Sequence, residues 1–183
     1  ALHVAINVSM DNLAALGFAD FVAVEALAAG VSPTEIVLEV TESRLMADLR
    51  VPLEIPTRLR LKRFRLSIDD FGTGHSSLAQ LRDIPFDELK IDQGFVHRAW
   101  HDETLRAIFD ASLGLARQLN MEAIAEGVED QADWDFLRST RCDLAQGYFI
   151  ARPMPAAELP GWIASWQARR RDLVPAPAEG WTE

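Results

Sequence analysis

One cysteine, Cys142, stands in 183 residues. An internal disulfide is therefore excluded, and the chain suits a reducing compartment, the cytoplasm. With no His-Cys cluster around it, Cys142 reads as a small packed residue. No apolar run approaches the ~18 residues that a membrane-spanning helix needs. The start, Ala1-Leu2-His3-Val4, lacks the charged-then-apolar plan of a signal peptide. We expect no membrane contact from this segment. An initiating Met is missing too, and we expect a piece of a longer polypeptide. Positive charge is scarce: 18 Lys and Arg face 28 Asp and Glu, a net charge of −10. Such a surface repels nucleic-acid phosphates and points away from DNA and RNA. A small phosphorylated ligand stays open, provided metal ions or a placed Lys or Arg meet its charge locally.

What is present is the composition of one globular domain with a real core, 49% apolar and 25% charged. Strands are expected at His3–Ser9, Glu35–Val40, Phe64–Ile68, Glu88–Ile91, Ala123–Ala125 and Asp143–Tyr148. Helices are expected at Asn12–Ala29, Pro52–Lys62, Ser77–Arg82, Thr104–Leu119, Gln131–Arg138 and about Ala156–Arg171. Residues 1–171 make the domain. Residues 172–183, rich in Pro and Ala, read as a linker or disordered tail. Arg169-Arg170-Arg171 reads as complementing a helix C-terminus, and His3, His97 and His101 receive no function.

The stretch Ser67-Ile68-Asp69-Asp70-Phe71-Gly72-Thr73-Gly74-His75-Ser76-Ser77 is the most informative. An apolar run ends in adjacent carboxylates, then a Gly-Thr-Gly turn, with Ser76 and Ser77 at an N-cap position. Adjacent carboxylates repel unless a cation lies between them or one holds a proton. A hard divalent metal explains the pair economically; a solvated Asp-Asp turn is the plainer alternative. Strands alternating with helices imply a parallel sheet, open or closed. No G-x-G-x-x-G follows the first strand, which weakens a dinucleotide-binding sheet. Asn7, Glu39, Asp69 with Asp70, Lys90, Glu126 and Gln146 all fall at C-terminal strand ends. A (β/α)8 barrel gathers such ends on one face, whereas an open doubly wound sheet spreads them along a line. Plainer readings exist for several: a turn residue for Asn7, a snorkelling lysine for Lys90, an ordinary polar strand end for Gln146. Glu39 within VLEV is harder to set aside, because an unpaired buried carboxylate is costly.

With those residues laid out, the chain resembles the EAL-domain cyclic di-GMP phosphodiesterases of bacteria. The matching stretches are NVS at Asn7, LEVTES at Leu38, DDFGTGHSSL at Asp69, LKID at Leu89, AEGVE at Ala125 and QGYFIARPMP at Gln146. The resemblance implies a TIM-like (β/α)8 barrel of EAL type, N-terminally truncated, with about six of its eight βα units present. The Glu-Ala-Leu motif on an early strand is missing, and with it a metal-ligand glutamate and a phosphate-contacting arginine. Glu25-Ala26-Leu27 follows NVS inside a helix and reads as coincidence. His75 replaces the usual Tyr, and Arg63 and Arg141 stand where Gly is common.

By the same resemblance, Asp69 bridges two Mg2+ or Mn2+ ions and Asp70 binds the second. Asn7 and Glu39 serve the first ion, and Glu126 binds the second or takes the water's proton. Lys90 holds the attacking water or balances phosphate charge, and Gln146 orients water or substrate. Glu42 and Glu129 support the ligands, with Glu42 anchoring the Gly72-Thr73-Gly74 loop. The implied reaction is in-line hydrolysis of one phosphodiester bond of cyclic di-GMP to linear pGpG, with no covalent intermediate. A homodimer meeting near the DDFGTG loop and an upstream sensory, receiver or GGDEF domain are further implications. The fragment alone, lacking two strands and one ligand, is expected to be weak or inactive. One rival is an inactive EAL domain acting as a cyclic di-GMP receptor. The other is a Mg2+-dependent enolase-type barrel, which leaves DDFGTG and AEGVE without a reason.

Overall fold

Residues Ile36 to Val40 are buried one after another, as in a strand covered on both faces of a parallel sheet. The computed structural model describes residues 2–42, 53–74 and 78–173. Six strands form one curled sheet in the order β1 to β6. They are β1 (Val4–Asn7), β2 (Ile36–Thr41), β3 (Arg65–Phe71), β4 (Glu88–Ile91), β5 (Glu122–Ala125) and β6 (Leu144–Ala145). Each pairs in parallel with the next. That sequential order is the layout of a (β/α)8 barrel wall, with six of the eight strands among the described residues.

Helices connect the strands: α1 (Met10–Ala14), α2 (Phe18–Ala28), α3 (Glu54–Leu61), α4 (Leu78–Asp83) and α5 (Gln93–Val96). Then come α6 (Glu103–Gln118), α7 (Gln131–Ser139) and α8 (Leu159–Leu173). The core lies between this helical layer and the sheet, where Phe64, Leu66, Ile68, Leu89, Ile91 and Phe109 are almost fully buried. Phe109 on α6 meets Phe136 on α7 edge-on, ring centroids 5.3 Å apart. Emptying such a site by Phe→Ala costs about 3–5 kcal/mol in general. On α8, Leu159, Trp162, Ile163 and Trp166 are the half-buried stripe, and Trp134 meets Trp166 edge-on at 5.9 Å.

Several elements differ from the sequence reading. The expected helix from Asn12 to Ala29 is two helices, because Ser9 and Asn12 form a capping box for α1 and Ala15 then turns extended. The sixth strand shrinks to two residues, leaving Gln146 just beyond it. Helix α5 is not among the expected helices; Asp92 caps it, its side chain accepting from the Gly94 N–H at 2.9 Å. Glu25-Ala26-Leu27 does lie on α2, where Leu27 is 81% exposed. Arg63 adopts φ 70°, which accounts for Gly being common at that point. Arg169 does not cap its helix. Its guanidinium donates to the Phe149 carbonyl at 3.0 Å and stacks on the Phe149 ring at 4.4 Å. His75, the Ser76–Ser77 cap and the tail from 174 onward lie outside the described residues. Among the described residues, no helix is long and apolar enough to cross a membrane.

Candidate active site

Parallel register sets the strand tips side by side: Asn7 stands opposite Glu39, Glu39 opposite Ser67, and Thr41 opposite Asp69. Side chains two apart on a strand share a face, so Glu39 and Asp69 turn the same way as their neighbours Thr41 and Ser67. At β4, Lys90 is 3% exposed and reaches into this group. Its Nζ donates to Glu39 Oε1 at 2.9 Å, Asp69 Oδ1 at 2.9 Å and Glu126 Oε1 at 2.7 Å. Three donors meet three acceptors, which is what a buried ammonium requires. Burial works against its charge, yet the bonds to Glu126, Asp69 and Glu39 hold the Lys90 ammonium above its ordinary range.

The next residue, Asp70, has a left-handed φ of 56°, an uncommon conformation outside Gly and one that marks functional sites. The β3–β4 ladder skips between Ile68 and Phe71 at the same place, as bulges beside active sites do. Burial raises the Asp70 carboxyl, and the charges of Asp69, Asp92 and Glu42 add to the rise. Burial also pushes Glu126 up to about 7 against the pull of Lys90, with Asp69 and Asp70 reinforcing it. The carboxylates outnumber the one ammonium that binds them.

That surplus bears on a metal. Asp69, Asp70 and Glu126 each offer a carboxylate oxygen, all within 4.8 Å of one another. Oxygen-only donors suit Mg2+ or Mn2+. The hydroxyls of Thr41 and Ser67 are buried without a hydrogen-bond partner among the described residues, on the face that Glu39 and Asp69 share. The donor set fits hard divalent cations. Asn7 is exposed at the end of edge strand β1, adjacent to Glu39 in register.

Around the cluster, Glu42 is 1% exposed and accepts the Gly72 N–H at 2.7 Å and the Gly74 N–H at 3.2 Å. The Thr73 hydroxyl donates to the Asp70 carbonyl at 2.9 Å, so the loop after the paired aspartates is tied from both sides. Gln146 and Glu129 line a cleft with Asp70, Asp92, Glu126 and Tyr148. Gly127 has φ 68°, and a Cβ there would lie 2.3 Å from Gln93 Cβ; no other residue fits that turn beside Glu126.

His97, which receives no function from the sequence, stands in a cluster of its own. Its Nδ1 lies 2.8 Å from Asp133 Oδ2, and Asp130 completes the group. Asp133 is fully buried and also accepts the Arg98 N–H at 3.0 Å and the Glu129 N–H at 3.1 Å. Its oxygens are occupied, so it reads as a clamp on the loop carrying Glu126 and not as a second metal centre. Spacing gives no hint of this pair, whose members are 36 residues apart. Asp92 and Tyr148 at the cleft were also missed; the strand-ending position of Asp92 after LKI was the available signal.

Comparison with known proteins places this arrangement. A family model described as EAL domain matches residues 1–153. The bifunctional diguanylate cyclase/cyclic di-GMP phosphodiesterase MucR of Pseudomonas aeruginosa is 41% identical over 162 residues, covering 88% of this chain and 24% of MucR. The chain thus spans about a quarter of that relative's length. A solved structure of the PaMucR phosphodiesterase in complex with c-di-GMP has a TM-score of 0.79 at 42% identity, over 86% of this chain and 64% of that one. BlrP1 of Klebsiella pneumoniae, as a manganese/cy-diGMP complex, has a TM-score of 0.77 at 30% identity, over 82% of this chain and 39% of that one.

Proposed function

The chain belongs to the EAL domain family, and we propose that its full-length protein hydrolyses one phosphodiester bond of cyclic di-GMP to linear pGpG. The observation that carries this reading is the buried Lys90 ammonium shared by Glu39, Asp69 and Glu126 at the strand tips. Asp70 and an open cleft adjoin it.

Asn7, Glu39, Asp69, Asp70 and Glu126 would hold Mg2+ or Mn2+. Such ions, when bound, supply an activated water and neutralise phosphoryl oxygens. Lys90 keeps its proton throughout and presents fixed positive charge to the phosphate; its three carboxylate bonds prevent it from swinging away. Glu126, a carboxylate at the cleft wall, has two alternative tasks: it joins the metal ligands, or it accepts the proton of the attacking water, which needs hydrogen-bond reach of that water. Gln146 holds the substrate from the opposite loop. Glu42 keeps the 72–74 loop closed over Asp70, and Glu129 supports the cleft from the β5 loop. We extend the proposal to a cytoplasmic, homodimeric protein with an upstream signalling domain; only the last has support from a relative, since the bifunctional MucR carries a second activity outside the quarter that this chain spans.

The test is turnover by the purified full-length protein of cyclic di-GMP with Mn2+ or Mg2+, products resolved by chromatography. Linear pGpG, lost in EDTA and in Asp69→Asn, is expected. Tight binding with no product would replace the enzyme reading with that of a receptor.

A further inference from the structure

The cleft beside the carboxylates has a recognition problem that its walls make explicit. Every charged residue lining it is acidic, and Lys90 is committed to three carboxylates. The base end of a nucleotide must therefore be held by something other than charge. Tyr148 is the chain's only tyrosine and lines that cleft, yet it is 54% exposed. Its neighbour Phe149 instead packs against Trp134, centroids 5.9 Å apart. The Arg152 guanidinium lies 4.6 Å from the Tyr148 ring centroid and forms no ion pair among the described residues. An aromatic ring backed by a cation is a stacking surface for a flat π-system.

The backbone that carries the ring is fixed relative to Glu126. The Gln146 N–H donates to the Ala125 carbonyl at 2.8 Å, the Val128 N–H to the Gln146 carbonyl at 3.1 Å, and the Phe149 N–H to the Val128 carbonyl at 2.9 Å. A Cβ on Gly147 would fall 2.2 Å from the Val128 carbonyl oxygen, so the two loops are in backbone contact. A tyrosine with only two side-chain torsions, on a fixed backbone, loses little side-chain entropy on binding.

We propose that Tyr148, backed by Arg152, is the stacking wall for a purine base of the substrate, and so a positioning residue for the reaction. This rests on the cyclic di-GMP reading above. The test is calorimetric titration of the full-length protein with cyclic di-GMP in Ca2+, alongside steady-state kinetics in Mn2+. Tyr148→Leu, which keeps apolar bulk but removes the π-face, is expected to weaken binding roughly tenfold or more and to raise KM with kcat little changed. Tyr148→Phe and Tyr148→Trp restore binding to within about twofold of the native protein, because each keeps a π-face. Arg152→Ala weakens it several-fold. If the native protein binds but Tyr148→Leu binds equally well, the stacking wall is wrong and the cyclic di-GMP reading stands. If the native protein binds no cyclic di-GMP, that reading falls and the assignment of Tyr148 with it.

Discussion

At Lys90 one ammonium offsets three carboxylates, and the excess negative charge governs how the fold responds to pH. Glu126 is pushed up to about 7 from its ordinary 4.5, and Asp70 is raised as well. The folded chain therefore binds more protons than the unfolded chain between those two values. Stability contributed by these groups is full below the unfolded value and is lost as pH rises through the folded one. Metal-free protein is expected to melt at a lower temperature at about pH 8 than at about pH 5.5, and Glu126→Gln should flatten that slope. Mn2+ should reverse the loss, with a larger gain at the higher pH, because metal binding needs deprotonated ligands. Thermal melts in EDTA and in Mn2+ at both pH values measure this. An equal Mn2+ gain at both, or none, would show that these carboxylates are not the cation site.

Among the elements, the loop between β5 and α7 depends on a clamp that no local pattern reveals. Asp133 sits in the first turn of α7, is fully buried, and joins His97, the Arg98 backbone and the Glu129 backbone. Arg98 has φ 65°, a conformation that persists only where surrounding contacts impose it. Asp133→Ala takes the acceptor from the His97 ring and from the half-buried Arg98 and Glu129 N–H groups and should cost about 2 kcal/mol, read by urea denaturation. It should also lower kcat through the position of Glu126; a loss of well under about 1 kcal/mol would mean that water replaces the carboxylate. The strands, by contrast, were legible, because apolar runs ending in a polar residue mark parallel strands directly. Glu88–Ile91 matches to the residue. Asn12–Ala29 did not, since a Ser9–Asn12 capping box resets the helix start, a cue that periodicity overrode. The site followed the same division. Glu39, Asp69, Lys90 and Glu126 could be placed together because barrel topology converts strand ends into neighbours. Asp133 and Tyr148 could not, since their partners come from loops whose path only the folded chain supplies.

Over the whole molecule, the sheet carries charge at both ends of its strands, and the two ends have different tasks. Toward the N-terminal ends, Arg65 pairs with Glu88 at 3.1 Å and with Glu122, the two glutamates facing each other in register. Burial raises Glu88 although Arg65 pulls it down, so the guanidinium offsets part of the cost of burying that carboxylate in the wall. Asp69 follows Arg65 by four positions on β3, about 13 Å of strand, and the active site of such barrels lies at the C-terminal end. Arg65→Leu strands Glu88 as an unpaired buried charge, which costs about 3 kcal/mol at neutral pH. The loss should shrink toward about pH 5 as Glu88 takes up a proton, because its folded value then lies further above its unfolded one. The gain in melting temperature on adding Mn2+ should be unchanged. Paired denaturation and Mn2+ melts separate the two tasks: a variant that loses both stability and Mn2+ response would show that the ends of the barrel act as one electrostatic unit.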